Sequence, residues 1–148
     1  MYKHVLIATD GSDLANKALE HGLALAKCNN ANVSVVTVTE PWSAFEMAQQ
    51  AREHRLDPVG QFEATAAESA KRILDNALKQ AAACGVSVEG IHVKDQYPAE
   101  GIIATARDKG CDLVVLASHG RRGLPRLLLG SQAYEVLTRC TVPALIVR

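Results

Sequence analysis

The sequence predicts a doubly wound α/β fold, in which helices cover both faces of an open parallel sheet. Two observations lead to this prediction: short apolar runs recur along the 148 residues, and helical patterns separate them. Strands that are buried on both faces have continuous, β-branched apolar sequences. Because strand and helix alternate throughout, right-handed crossovers between parallel strands are the expected connections. No repeat or low-complexity linker interrupts the pattern, so we expect a single domain over residues 1–148.

Five apolar runs are the candidate strands. The runs from Val5 to Ala8 and from Leu113 to Ala117 are continuous, which is typical of central strands in a parallel sheet. The run from Val86 to Val93 alternates between apolar and polar residues and is a weaker candidate. The remaining two runs are Val33 to Val38 and Ala144 to Val147.

Between these runs, apolar residues recur with the spacing of a helix. The first helix follows Ser12, a favourable N-cap residue, and its apolar residues recur every three or four positions up to Ala26, before the polar pair Asn29-Asn30. Glycine just after a helix and proline in its first turn are typical end signals. The other helical stretches run from Phe62 to Ala81 before Gly85, from Pro98 to a stop at Gly110, and from Gln132 to Thr138.

One segment, from Pro41 to Gly60, is too long for an ordinary connection in a compact domain. Its apolar residues Trp42, Phe45 and Met47 are compatible with a lid, with a contact to a partner, or with a short surface helix that buries all three. We expect the surface helix.

Composition argues against several classes of partner. Sixteen Lys and Arg balance sixteen Asp and Glu, so no overall field attracts the chain to nucleic acid or to an anionic membrane. The N-terminal apolar run is too short for a signal peptide or a membrane span, and we expect a cytoplasmic protein. No CxxC pair occurs, so the four cysteines are expected to be buried, reduced thiols: Cys28, Cys84, Cys111 and Cys140.

The end of the first predicted strand carries the first candidate site. In open parallel sheets, ligands bind beyond the carboxyl ends of the strands. Here the strand ends Ala8-Thr9-Asp10-Gly11-Ser12, and the Asp10 carboxylate can accept hydrogen bonds from a ribose or an adenine edge. The alternative is that Asp10 and Ser12 only cap the first helix, and this short motif alone favours capping.

The second candidate site is the loop from Ser118 to Ser131, which joins a buried strand to a helix. Glycines there allow phosphate oxygens to approach the backbone closely, and the helix N-terminus adds about half a positive charge. Neither GxxxxGK[ST] nor GxGxxG is present. The alternative is a surface loop whose leucines, Leu127 to Leu129, pack into the core, with Arg121, Arg122 and Arg126 as solvated charges. The residues alone leave both possibilities open.

Three segments together resemble the universal stress protein family over essentially the whole chain: VLIATDGS near the N-terminus, ASHGRRGLPRLLLGSQAYEVL, and the closing VPALIVR. The resemblance implies a three-layer, Rossmann-like fold with five strands in the order 3-2-1-4-5. Similar proteins dimerise by pairing their last strands. We therefore expect a homodimer through residues 142–147, a short apolar strand with an otherwise unprotected edge.

Members of the family that bind ATP share a motif of Gly, two residues, Gly, nine residues, and Gly followed by Ser or Thr. Gly120 and the pair Gly130-Ser131 match this pattern, whereas Ala117 stands in place of the first glycine and adds one methyl group. A second departure is Lys94 to Pro98, where many relatives place a glycine before the proline. Larger side chains there are expected to reshape the edge of the pocket.

The same resemblance implies a role for each matching residue in an ATP site. Asp10 contacts the ribose or the base, and Val38 packs on the adenine. Leu116 and Ala117 lie beside the ribose. The phosphates are held by the later residues of the motif. The adenosine-facing residues are Ala8, Thr9 and Asp10, and the phosphate-holding residues are Gly120, Gly130, Ser131 and the amide of Gln132.

Three functions remain in competition at this point. The first is a regulatory stress-response protein that binds ATP, with Mg²⁺ arriving on the triphosphate. The second is a family member that binds no nucleotide and acts through its dimer surface. The third is a slow ATP hydrolase, for which the site offers only His119, Asp10 and the arginines as candidate groups. We assign no catalytic or metal-binding residue and expect weak hydrolysis at most.

Overall fold

A five-stranded parallel sheet with helices on both faces makes up the described part of the chain. The computed structural model describes residues 1–43, 48–49, 52, 57–120 and 129–148. The strands are β1 (His4–Ala8), β2 (Asn32–Val38), β3 (Val88–Val93), β4 (Leu113–Ala117) and β5 (Ala144–Val147). The helices are α1 (Asp13–Asn29), α2 (Pro58–Ala83), α3 (Pro98–Asp108) and α4 (Ser131–Arg139). The strand order is β3-β2-β1-β4-β5, which confirms the predicted fold.

β1 is the central strand and pairs in parallel with β2 and β4. Its residue Leu6 lies opposite Ser34 of β2 and Val114 of β4. The side chains of Val5, Leu6 and Ile7 are fully buried. Continuous burial on both faces is the reason why this strand has no polar alternation in the sequence.

Two apolar cores lie on opposite faces of the sheet. The first, under α1 and α2, contains Leu19 and Leu23 packed on Ile7 and Val115. The second, under α3 and α4, contains Ile102 and Val136 packed on strand residues. Because the helices cover both faces, the carboxyl ends of the strands are the places where loops can form a site.

The structure confirms the predicted start of α1 and the predicted C-terminal ends of α1, α2 and α3. The hydroxyl of Ser12 accepts a hydrogen bond from the N–H of Ala15 at 3.2 Å, which caps α1. Asn30 ends α1 in the left-handed conformation, with φ of 51°. Gly85 and Gly110 follow α2 and α3 with φ of 72° and 63°, a backbone region in which glycine has no steric cost.

β3 begins at Val88, two residues later than the sequence pattern predicts. The N–H of Val86 donates to the carbonyl oxygen of Ala81 at 2.9 Å and so completes the end of α2. Val86 is still half-buried against the core under α1 and α2. Its apolar character therefore reflects packing beside the helix end and not membership of the strand.

α2 begins at Pro58, before the first apolar residue of its predicted pattern. The Asp57 side chain accepts a hydrogen bond from the N–H of Gly60 at 3.0 Å, and proline occupies the first turn. The Trp42 ring stacks on Phe62 with ring centroids 5.3 Å apart. This contact ties the chain after β2 to α2. Phe45 and Met47, which were expected to pack with Trp42, lie outside the described residues.

α2 is the longest helix in the described part of the chain, with 26 residues. One face buries Ala70, Ala77 and Ala81 against the sheet, and the opposite face carries an ion pair between Lys71 and Asp75. Among the described helices, none combines the length and the apolar character that crossing a membrane requires.

The expectation of four buried cysteines is wrong for two of them. Cys28 and Cys84 are exposed, Cys140 is half-buried and Cys111 is buried. Cys28 lies off the apolar stripe of α1, and Cys84 follows the last residue of α2. Burial, with a smaller effect from the neighbouring Asp112, raises the pKa of the Cys111 thiol to about 11. Cys111 is therefore a neutral thiol at physiological pH.

Side-chain contacts occupy the amino-terminal edge of the sheet. His4 Nε2 lies 2.9 Å from the buried Ser34 hydroxyl, which in turn contacts Glu89 at 3.4 Å. Glu89 pairs with Lys109 at 2.5 Å, and Asp112 accepts the N–H of His4 at 3.0 Å. These polar groups are paired with one another at this edge. In open parallel sheets, ligands bind at the opposite, carboxyl edge.

Candidate functional site

The turn after β1 is held by its own side chains. The buried Thr9 extends the sheet by donating its N–H to the carbonyl oxygen of Val36 at 2.9 Å. Its hydroxyl accepts the N–H of Gly11 at 3.1 Å, and Asp10 Oδ1 accepts the N–H of Ser12 at 3.0 Å. Gly11 has φ of 76°, which a larger residue rarely adopts. The turn is therefore defined locally before any ligand binds.

Ser12 and Asp10 have different roles in this turn. Ser12 caps α1, as the capping alternative requires. Asp10 Oδ1 accepts the N–H of Ser12, and its other oxygen, Oδ2, lies next to Gly120 at the start of the 118–131 loop. A Cβ atom built on Gly120 would lie 2.6 Å from Asp10 Oδ2. The structure thus brings the two sequence-predicted halves of the site into contact.

The 118–131 loop closes on itself at its two ends. Ser118, only 2% exposed, donates its N–H to the carbonyl oxygen of Val147 at 2.8 Å. Its own carbonyl oxygen accepts the N–H of Gly130 at 2.6 Å. A Cβ atom on Gly130 would lie 3.0 Å from that carbonyl oxygen and 3.3 Å from the Cα of His119. Gly130 is needed here for close approach and not for its backbone angle, since its φ is −72°.

The start of α4 supplies hydrogen-bond donors to this edge. Gly130 is the N-cap and provides no side-chain hydrogen bond to the helix. The first N–H groups of a helix have no partner within the helix, and its N-terminus carries partial positive charge. Ser131, the first residue of α4, is exposed. The geometry therefore suits an anion held by the N–H groups of Ser131 and Gln132.

Gln132 also connects two helices. Its Oε1 accepts the N–H of Ala99 at 2.9 Å, in the first turn of α3, where Tyr97 provides no side-chain cap. The side chain of Gln132 is thus used within the protein, and its backbone N–H lies in the first turn of α4, where N–H groups have no partner within the helix. Sequence patterns did not indicate this contact, because the two residues are 33 positions apart.

The predicted adenosine-facing apolar residues lie on the α3 side of the sheet. Ala8 and Leu116 are buried in the core under α3 and α4, and Val38 is half-buried at its margin. A Cβ atom on Gly101 would lie 2.9 Å from Val38 Cγ2, so α3 approaches the end of β2 closely. Only part of the Val38 side chain is left to contact a ligand.

Ala117, which replaces the first motif glycine, is half-buried on the other side of the sheet. It packs with the core under α1 and α2, whereas its neighbour Leu116 packs under α3 and α4. This alternation follows from the strand geometry of β4. The additional methyl group therefore lies in the α1 layer.

A cleft of about 320 Å³ opens beside Gly11, between α1 and α2. None of the ten predicted site residues lines it. Gly11, which lines the cleft, directly follows Asp10 in the chain. Besides Gly11 its lining is mostly polar: Asn16, Ser69, Arg72, Ile73, Asn76 and Gln80.

Several predicted features of the 118–131 loop fall outside the described residues. These are the three arginines, Arg121, Arg122 and Arg126, together with Leu127 and Leu128. Leu129 is described, and it packs against the core under α3 and α4, as the surface-loop alternative predicts. The described residues contain no group of three His, Cys, Asp or Glu side chains placed to hold a metal ion.

Comparison with known proteins shows the same family over the whole chain. The model of the universal stress protein family matches residues 1–148. Universal stress protein YxiE of Bacillus subtilis is 34% identical over 152 residues, covering 100% of both chains. The structure of MJ0577 from Methanocaldococcus jannaschii has a TM-score of 0.81 and 29% identity, covering 99% of this chain and 96% of that one.

A solved universal stress protein in complex with cAMP is also similar. Its TM-score is 0.74 at 26% identity, and the match covers 99% of this chain and 97% of that chain. The strand order found here agrees with the order that the resemblance implied. With a family match over every residue and a relative above 30% identity, this chain belongs to the universal stress protein family.

Proposed function

We propose that this protein binds ATP at the carboxyl edge of its sheet and acts as a nucleotide-dependent regulator, with residues 1–148 as one domain. The contact between Gly120 and Asp10 Oδ2 carries the proposal, since it joins a carboxylate and a loop of backbone donors in one place. The complex of a 26% identical family member with cAMP supports an adenine nucleotide as the ligand class.

In the proposed complex the protein contacts the ribose mainly through Asp10, because a carboxylate accepts hydrogen bonds from hydroxyl groups. The backbone of Gly120 and the N–H groups at the start of α4 hold the phosphates, where the helix N-terminus stabilises negative charge. Mg²⁺ arrives with the triphosphate, because such ions are commonly held by phosphate oxygens with few protein ligands. The remaining contacts, to base and ribose, come from Ala8, Thr9, Val38 and Leu116, and from the backbone of Ala117, since its methyl group packs in the α1 layer.

Calorimetric titration and thermal unfolding with ATP, ADP and AMP, each with and without Mg²⁺, test this proposal. We expect saturable heat and a higher Tm with ATP, because a ligand at about one hundred times its Kd stabilises the folded state by about 2.7 kcal/mol. No heat and no Tm shift at millimolar ATP would support the second alternative, a protein that binds no nucleotide and acts through its dimer surface. Steady phosphate release would instead support a slow hydrolase.

Replacing Ala117 by glycine should change the affinity for ATP by less than about threefold, which corresponds to under 1 kcal/mol. The reason is that the methyl group packs in the α1 layer. The free energy of unfolding should fall by about 0.5–1 kcal/mol, the usual cost of glycine in a strand. Calorimetry and urea unfolding measure the two quantities. A tenfold gain in affinity would mean that the methyl group obstructs the nucleotide.

We further propose a homodimer formed by pairing of β5 with its copy, within residues 142–147. The carbonyl oxygens of Pro143 and Val147 accept hydrogen bonds from the β4 side of the sheet. Alternate residues of a parallel strand face the same neighbour, so the backbone groups of Ala144 and Ile146 point outward. Leu145 on this strand is 37% exposed. An apolar edge with outward backbone groups favours strand pairing.

The dimer is tested by light scattering after size exclusion. The wild-type protein should have twice the chain mass of 15.8 kDa. Ala144→Pro should shift the population to monomer, because proline removes an outward N–H group at the edge. Ala144→Ser keeps that group and serves as the control. A wild-type monomer, or a fully dimeric proline variant, would contradict pairing through β5.

A further inference from the structure

His119 lies between the two glycines that border the candidate site. Gly120 follows it and contacts Asp10, while Gly130 lies over its backbone, where a Cβ atom would be 3.3 Å from both the Cα and the Cβ of His119. The side chain is half-buried. His119 is thus adjacent to Gly120, which contacts Asp10, and to Gly130, the N-cap of α4.

The preceding residue holds the imidazole. The Ser118 hydroxyl lies 3.2 Å from His119 Nδ1, and Ser118 is 2% exposed. Both backbone groups of Ser118 are also bonded, its N–H to Val147 and its carbonyl oxygen to Gly130. The backbone of Ser118 is therefore held in place, and its hydroxyl sets the orientation of the imidazole ring.

In the described part of the chain, one nitrogen of the His119 imidazole is in a hydrogen bond. Nδ1 contacts Ser118, and among the described residues the imidazole makes no other hydrogen bond. When the Ser118 hydroxyl donates to Nδ1, the neutral ring carries its proton on Nε2, which is then a donor. Phosphate oxygens are strong acceptors, and a hydrogen bond to a charged acceptor is stronger than a neutral one.

We propose that His119 donates from Nε2 to the phosphate chain of the bound nucleotide, and that Ser118 is the positioning residue that holds its ring. This inference rests on the proposed ATP site and adds a side-chain donor to a site otherwise built from backbone N–H groups. In this proposal, His119 contacts only the phosphate part of the nucleotide. The adenosine part of the ligand does not contact it.

Two substitutions of His119 distinguish the contributions of its two ring nitrogens to binding. The amide of asparagine reaches the position of Nδ1, and the amide of glutamine reaches the position of Nε2. His119→Asn should weaken ATP and ADP binding about tenfold, the usual effect of losing a hydrogen bond to a charged group. His119→Gln should stay within about threefold of wild type. Ser118→Ala should weaken ATP binding about threefold through loss of the ring's anchor.

Adenosine, measured by competition against ATP, is the internal control. Its affinity should be the same in wild type and in His119→Asn, and the Tm of each variant without nucleotide shows that it folds. Equal losses for ATP and adenosine, or unchanged ATP affinity in His119→Asn, would overturn the role of His119. A wild-type protein that binds no ATP would instead refute the proposed function itself, and this inference with it.

Discussion

Replacing Gly130 by valine should lower the affinity for ATP by about a hundredfold or more, because several hydrogen bonds to phosphate are lost together. Even a Cβ atom at this position would lie 3.0 Å from the carbonyl oxygen of Ser118 and 3.3 Å from His119. The branched side chain therefore forces the start of α4 away from the end of β4. The N–H groups of Ser131 and Gln132 then move out of register with the phosphates.

Gly90→Val is the matched control for Gly130→Val. A Cβ atom on Gly90 would lie 3.7 Å from Leu74, an ordinary contact, and the position is on an outer strand remote from the loop. Overpacking at Gly130 should also reduce the free energy of unfolding by about 1–3 kcal/mol, which urea titration measures. Calorimetry gives the affinities. If Gly130→Val binds ATP as wild type does, the phosphate site lies elsewhere.

Replacing Asp10 by asparagine should weaken ATP binding about 10- to 100-fold, the effect of losing one hydrogen bond to a charged acceptor. Asparagine keeps an oxygen for the N–H of Ser12, so the turn is preserved. It removes the carboxylate charge beside Gly120. The Tm of the variant without nucleotide shows whether the fold is unchanged, and the affinity then reports on the ligand contact.

The control for Asp10→Asn is Asp13→Asn, an equal charge change at the exposed start of α1. It should leave ATP affinity within about twofold of wild type, since an exposed charge contributes little. ATP without ribose hydroxyl groups should bind more weakly to wild type, but lose nothing further in Asp10→Asn, because both changes remove the same contact. Independent, additive losses would show that Asp10 does not bind the ribose.

Local patterns predicted the elements of the fold well. The buried strand β1, the Ser12 cap and the terminal glycines Gly85 and Gly110 are set by neighbouring residues, and sequence periodicity and capping chemistry detect such features. The strand order, in contrast, is not determined by local patterns. It depends on pairing between β1 and β4, whose residues are more than a hundred positions apart. That order came from the family resemblance and not from residue patterns.

Three details differ from what the sequence patterns predicted. Val86 has strand-like character but completes the end of α2. The Gln132 side chain caps α3. Cys28 was expected inside, although its position on α1 faces solvent. The Gln132 contact joins residues 33 positions apart and depends on tertiary packing. The positions of Val86 and Cys28 are set locally, by the end of α2 and by the apolar stripe of α1.

An NMR titration of the ¹⁵N-labelled protein with ATP is the most direct test of where the nucleotide binds. We expect the amide signals of Gly120, Ser131 and Gln132 to shift in a saturable way, and that of Lys109, at the opposite edge of the sheet, to stay unchanged. Shifts confined to the cleft between α1 and α2, for example at Asn16 and Asn76, or no shifts at millimolar ATP, would contradict binding on the 118–131 loop.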